Sequence, residues 1–280
     1  MKINKNSLQA RINNLSKEKG VHANVLLVSF FFDAFISRLA KSKYAENFVF
    51  KGGFYLATLL GVQNRYTADI DFLLKKERLT SERLKIIFSE IVAIDGNDSI
   101  TFEICDISAI RDEDAYGGFS ILLTGHLENV RQSFHVDVAT GDPVTPSDIE
   151  YSYRSLIGGE TIAFRAYNLE TVIAEKLQTI LARGILNSRC KDFYDIYIIR
   201  RLQWDNIDKE YLKKAFEETC GYRKTTFSKY SATEIIEQLA SNSILRSRWA
   251  NYAKKSSFAR DVPFDATIHA CRLVIETAVT

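Results

Sequence analysis

The sequence predicts an α/β domain followed by an all-helical half, and three observations carry that reading. Between residues 48 and 139, short apolar or alternating runs interrupt the helical spacing. The segment 140–147 then holds two of the three prolines and breaks the pattern. Beyond it, apolar residues return at helical spacing to the end of the chain. Charge shifts at the same place. Residues 1–150 carry 17 basic against 20 acidic side chains, and residues 151–280 carry 20 against 15. We therefore divide the chain into 1–150, an α/β core with N-terminal helices, and 151–280, a basic, helical, substrate-binding half.

The elements follow in order. Leu8, Ile12 and Leu15, then the apolar stretch 25–39, predict helices in the first 45 residues. Strands are predicted at 48–51, 68–74, 101–107, 119–124 and 134–139, with helices around 54–60 and 81–92. The second half predicts helices at about 168–184, 191–202, 207–219, 231–240, 243–254 and 265–278. Hydrophobic residues at 46% and charged residues at 26% exclude a disordered or collagen-like chain. The longest apolar run, 25–32, meets Asp33 at once and lacks a basic leader and cleavage site. It predicts a buried helix, with nothing crossing a membrane. Cys105, Cys190, Cys220 and Cys271 lie far apart with no CxxC pair. That pattern predicts no disulfide framework or zinc site, and a cytoplasmic protein with reduced thiols.

The chemistry starts at Gly52 and Gly53, which end a strand and open a helix. Glycines there let a ligand approach the backbone, and the helix N-terminus offers N–H groups to phosphate. By itself the pair is more often a simple turn. Asp69 and Asp71 are more telling. Two residues apart on a strand, they share one face, while Ile70 and Phe72 point to the core. Neither has a cationic neighbour within the strand, and a divalent cation with oxygen ligands, Mg²⁺ or Mn²⁺, would relieve their repulsion. Asp137 lies in another alternating run. If its strand lies beside 68–74, it completes a three-carboxylate metal set for a nucleotide triphosphate. His135 shares that face and reads as a structural histidine. Asp142 reads as a turn-former.

In the helix 168–183, Leu169, Ile173, Leu177 and Ile180 form the apolar stripe, and Lys176 falls inside its arc with Arg183 near the same line. Such a lysine either snorkels or meets an anion. Asp192 and Asp195 enter the apolar arc of the next helix, and Lys176, Arg183 or Arg189 could pair with them. A structural ion-pair network and a functional site both fit. Within 221–260, cations interleave with Tyr222, Phe227, Tyr230, Trp249, Tyr252 and Phe258. That mixture suits an RNA backbone with unstacked bases, and equally a solvated basic face over an aromatic core.

The ordered set of GG, R-x-T-x-D-x-D at Arg65 to Asp71, a later lone Asp, EKL…R and KDFYD resembles the AbiEii/MenT-like nucleotidyltransferase toxins. The resemblance runs from about Phe48 to Ile199. It implies a DNA polymerase-β-like nucleotidyltransferase core and a helical C-terminal lobe. It also implies a toxin–antitoxin pair in abortive infection and antiviral defence, restrained by a separately encoded antitoxin. GTP or another NTP would be the substrate, Mg²⁺ the cofactor and tRNA the acceptor, with no DNA or membrane partner. Residue by residue, Gly52 and Gly53 match the phosphate motif, with Arg65 and Thr67 added to the nucleotide contacts. Asp69 and Asp71 match the metal pair, Lys176 with Arg183 the lysine motif, and Asp192 with Asp195 the final motif. Asp69, Asp71, Lys176 and Asp192 are the implied catalytic set. Asp137 is placed by strand logic alone. The superfamily often has Gly-Ser where this chain has Gly52-Gly53. Two other readings stay open, a nucleotidyltransferase acting on protein and a GTP-binding regulator without transfer activity.

Overall fold

The computed structural model describes residues 3–110 and 117–279. It divides into two compact units, Met1–Gly141 with Ile149–Ala166, and Asp142–Asp148 with Tyr167–Thr280.

The first unit is built on a mixed sheet. It opens with helices α1 (Lys5–Lys19) and α2 (Ala23–Lys41). The strands are β1 (Phe48–Lys51), β2 (Asp69–Leu74), β3 (Thr101–Ile110), β4 (Gly118–Leu127), β5 (Val130–Ala139), β6 (Ile149–Arg154) and β7 (Thr161–Ala166). They lie in the order β3-β4-β5-β2-β1-β7-β6. Helix α3 (Gly52–Leu60) follows β1 directly, and α4 (Ser81–Val92) follows β2. All five predicted strands form. β6 and β7 are additions. β6 is a sheet edge with Ile149, Glu150, Ser152 and Arg154 exposed, so its sequence lacks a clean apolar alternation.

β2 sits between β1, which runs antiparallel to it, and β5, which runs parallel. Its apolar residues explain why it is central. Ile70 and Phe72 are 0% and 1% exposed, and the Phe72 ring lies 5.5 Å from the rings of both Phe48 and Phe50. This burial fixes the strand's register, and alternation then sends Asp69 and Asp71 to the opposite face.

By length and composition α2 is apolar enough to cross a membrane, which the sequence reading does not anticipate, but 61% of that stretch is buried inside the fold. Its phenylalanines are core residues: Phe32 meets the rings of Phe54 and Phe134 edge-on. Asp33, on the same helix, is buried as well and accepts a 2.5 Å hydrogen bond from the Tyr153 hydroxyl. Burial pushes its carboxyl up to about 7, against the pull of hydrogen bonds from Ser155 and Tyr153.

The second unit holds α5 (Leu169–Arg183), α6 (Cys190–Leu202), α7 (Lys209–Tyr222), α8 (Lys229–Ser241), α9 (Ser243–Lys255) and α10 (Phe264–Ala278). Each coincides with a predicted helix to within three residues. α10 packs against α6, α7 and α8 through a buried stripe that includes Ile268, Cys271, Val274 and Ile275. The segment 142–148 is tied in by Asn168, which caps α5 and donates to the carbonyls of Thr145 (2.8 Å) and Ser147 (2.9 Å). Asp142, expected as a turn-former, lies outside any assigned turn, and its carboxylate accepts from Arg223 at 3.3 Å.

The basic–aromatic stretch resolves into two kinds of residue. Arg223 pairs with Asp142 and Glu175, Arg246 pairs with Asp265, and Arg248 donates to the carbonyls of Leu186 and Asn187. Trp249 is buried and donates its indole N–H to Val262, while Phe258 packs on Tyr194 and Phe227 on Phe216. Lys224, Lys229, Tyr230, Lys254, Lys255 and Arg260 are exposed. Of the interleaved aromatics, Trp249 is buried, Tyr222, Phe227, Tyr252 and Phe258 are half-buried and Tyr230 is exposed, beside the exposed cations.

Candidate active site

The sheet brings Asp69, Asp71 and Asp137 to one face. β5 does lie beside β2, and its register sets Asp137 next to Asp71 and His135 next to Asp69. Neighbouring strands are about 4.8 Å apart, so two carboxylates in register are close enough to repel strongly. Lys51 stands opposite Asp71 across the β1–β2 ladder. This cross-strand neighbour is invisible within the strand's own sequence.

Each acid has a donor. The Gly53 N–H, in the first turn of α3, donates to Asp71 Oδ2 at 3.3 Å. The Thr67 hydroxyl donates to Asp69 Oδ1. The Ser120 hydroxyl, on β4 directly opposite Asp137, donates to its Oδ1 at 2.6 Å. The three carboxylates are half-buried.

The glycines are required by this arrangement. Gly52 has φ +71°, and a Cβ there would lie 1.8 Å from Asp71 Oδ2. No L side chain fits. At Gly53 a Cβ would lie 3.0 Å from both Cβ and Oγ1 of Thr67 and 3.1 Å from Arg65 Nη2. Arg65 and Thr67 thus line the space where a glycine–serine loop would carry its serine. The Arg65 side chain is buried, and its guanidinium donates to the Tyr66 carbonyl.

Among the described residues, no three His, Cys, Asp or Glu side chains are gathered into a metal-holding group. The donor chemistry nevertheless fits Mg²⁺: hard carboxylate oxygens on adjacent strands, in register, beside a backbone approach that no side chain obstructs.

In the helical unit, Lys176 Nζ lies 3.0 Å from Asp192 Oδ1 and 2.7 Å from Asp195 Oδ2. Arg189 adds a 2.8 Å bond to Asp192 Oδ2. The two aspartates are 1% and 0% exposed. Burial alone would raise the Asp192 carboxyl. The charges of Lys176 and Arg189, and the Arg189 hydrogen bond, outweigh it and hold the group well below the usual carboxylate range. Lys176 and Arg189, two of the candidate partners, are thus seen on these acids. Arg183 stands half-buried in the last turn of α5.

One residue of this face escaped the sequence reading. Ser120 carries no signal until β4 is known to pair with β5. His135, read as a structural histidine on the Asp137 face, is exposed, and its Nδ1 lies 3.0 Å from Ser120 Oγ.

Known proteins match the chain in fold and in family. A candidate nucleotidyltransferase from H. pylori has the same fold, with a TM-score of 0.53 at 16% identity over 91% of this chain and 95% of its own. JHP933 from Helicobacter pylori gives 0.53 at 15% identity over 91% and 92%. No curated protein matches the chain. The model of the nucleotidyl transferase AbiEii toxins of type IV toxin–antitoxin systems matches residues 34–270, spanning both the sheet carboxylates and the lysine–aspartate cluster. The chain belongs to that family.

Proposed function

We propose that this toxin transfers a nucleotide from GTP or another NTP to RNA, at the 3′ acceptor end of tRNA, and so blocks translation and growth. The observation that carries this reading is the register of β2 and β5, which places Asp71 beside Asp137 with Asp69 on the same face. Asp69, Asp71 and Asp137 hold Mg²⁺, or Mn²⁺ in its place. When bound, the ion supplies charge neutralisation and alignment for the triphosphate. The α3 N-terminus, opened by Gly52 and Gly53, meets phosphate oxygens with backbone N–H groups. Arg65 and Thr67 line the same loop and complete the nucleotide contacts. An RNA 3′-oxygen bonds to the α-phosphorus as the bond to pyrophosphate breaks and the hydroxyl proton leaves to solvent. Positioning and charge stabilisation account for most of the rate.

For the helical unit we carry forward Lys176, Arg183 and Asp192 as functional residues, and the exposed cations of 221–260 as the RNA-binding surface. A separately encoded antitoxin opposes the toxin, in the cytoplasm, as part of phage defence.

The test incubates the purified chain with Mg²⁺, total tRNA and each labelled NTP in turn, beside Asp69→Asn. Label on tRNA from the wild type but not from the variant is the expected result, and it names the nucleotide. Equal labelling by Asp69→Asn would overturn the site. Saturable GTP binding with no label on tRNA would replace the reading with a regulator or a protein acceptor.

A further inference from the structure

We infer that Ser120, backed by His135, is the positioning residue of Asp137. The inference rests on the carboxylate site proposed above and assigns two residues to it that no sequence motif contains. In the β4–β5 ladder Ser120 is directly opposite Asp137, and His135 is its diagonal neighbour, two residues back on β5. Diagonal and opposite side chains on one face of a sheet are within reach of each other. Ser120 Oγ touches both, at 2.6 Å to Asp137 Oδ1 and 3.0 Å to His135 Nδ1.

The direction of the chain follows from the donor inventory. A serine hydroxyl has one hydrogen and a carboxylate accepts only. The hydroxyl hydrogen therefore goes to Asp137, and His135 Nδ1 carries the hydrogen given to Ser120 Oγ. Donors arranged in series polarise one another, so the bond on Asp137 is strengthened by the one behind it.

The arrangement addresses a specific problem. Asp137 and Asp71 are in register on adjacent parallel strands. Mutual repulsion would rotate the two carboxylates apart. A hydrogen bond anchored on β4 fixes one oxygen of Asp137 on the side away from β2, and so directs the carboxylate's other edge toward Asp71. Folding alone does not call for this hydroxyl. Asp137 is only half-buried, and His135 is exposed, so water could serve both.

The test compares Ser120→Ala, Ser120→Thr, His135→Ala and Asp137→Asn. It measures Mn²⁺ affinity of the nucleotide-free protein by electron paramagnetic resonance, and separately kcat and KM for the NTP. Loss of one charge-assisted hydrogen bond is worth about tenfold. Ser120→Ala is expected to weaken Mn²⁺ binding and lower kcat by about that factor with KM for the nucleotide unchanged. Ser120→Thr restores both, and His135→Ala moves both in the same direction by less. Wild-type Mn²⁺ affinity and kcat in Ser120→Ala, alongside their loss in Asp137→Asn, would overturn the inference and leave the carboxylate site standing. Wild-type behaviour in Asp137→Asn would overturn the carboxylate assignment, and the inference with it. If Ser120→Ala does not fold, Ser120→Cys, which keeps the volume with a weak donor, is judged by the same criteria.

Discussion

The two acid clusters of this protein differ in burial and in the donors that hold them. In the helical unit, Asp192 and Asp195 are fully buried, and Lys176 reaches both while Arg189 takes the second oxygen of Asp192. In the sheet unit, Asp69, Asp71 and Asp137 are half-buried, and the donors on them include two hydroxyls and a backbone N–H. An ammonium cancels a carboxylate's charge, whereas a hydroxyl or amide only orients it. Lys51, opposite Asp71 in the ladder, is the sheet's cationic neighbour to that aspartate. The helical cluster is thus neutralised within the fold. The sheet cluster, with Lys51 across the ladder from Asp71, stays half-exposed on its face and is oriented by hydroxyl and amide donors.

The largest effect that would break this contrast is on stability. Lys176→Met removes the cation from two buried carboxylates, and an uncompensated buried charge costs about 3–5 kcal/mol. Urea unfolding should show that loss. Asp71→Asn should instead leave stability within about 1 kcal/mol of wild type, because it removes one of several like charges from a half-exposed face. If Lys176→Met unfolds at the wild-type urea concentration, the helical acids are not held by their lysine.

A third buried acid sharpens the point, because Asp33 lies in the sheet unit with hydroxyl partners only at the hydrogen bonds described, and its carboxyl is pushed up to about 7 from 3.8. A raised folded value means that the stabilising form is the protonated one. The contribution is complete below about pH 4 and is lost as pH rises through 7. At about 1.4 kcal/mol per unit, this amounts to roughly 4 kcal/mol across the window. Asp192 has the opposite sign: its lowered value gives stability above the normal carboxylate range, lost in acid. Unfolding at pH 4.5 and 7.5 should therefore show Asp33→Asn gaining on wild type as pH rises. A difference that does not change with pH would remove the assignment.

Much of this was legible in the sequence, for physical reasons that also mark the limits. The β2 alternation of acid and apolar residues specified a face, and charged residues inside the α5 and α6 stripes offered an ion-pair network as one of two open readings. The GG turn was legible because few residue types tolerate positive φ. What stayed hidden depends on cross-strand pairing. Ser120, His135 and Lys51 acquire meaning only through the registers of β4 with β5 and β1 with β2. The exposed edge strand β6 had no apolar period to read. In the stretch 221–260, spacing could not separate arginines already paired in the fold from solvated lysines.

A smaller loss of stability than at Lys176 tests the joint between the phosphate loop and the acids. Gly52→Ala imposes a positive φ on a residue with a Cβ and drives that Cβ toward Asp71 Oδ2. Backbone strain of this kind costs about 1–3 kcal/mol. The greater consequence is functional, because Asp71 must swing away from the face it shares with Asp69, and nucleotide transfer should fall at least a hundredfold. Collision and strain are separable. Adding Asp71→Ala to Gly52→Ala removes the collision and leaves the strained φ. The double variant should therefore be more stable than Gly52→Ala alone, though less stable than Asp71→Ala alone. If the double variant is no more stable than Gly52→Ala, the close approach of loop to carboxylate is not what fixes glycine at this position.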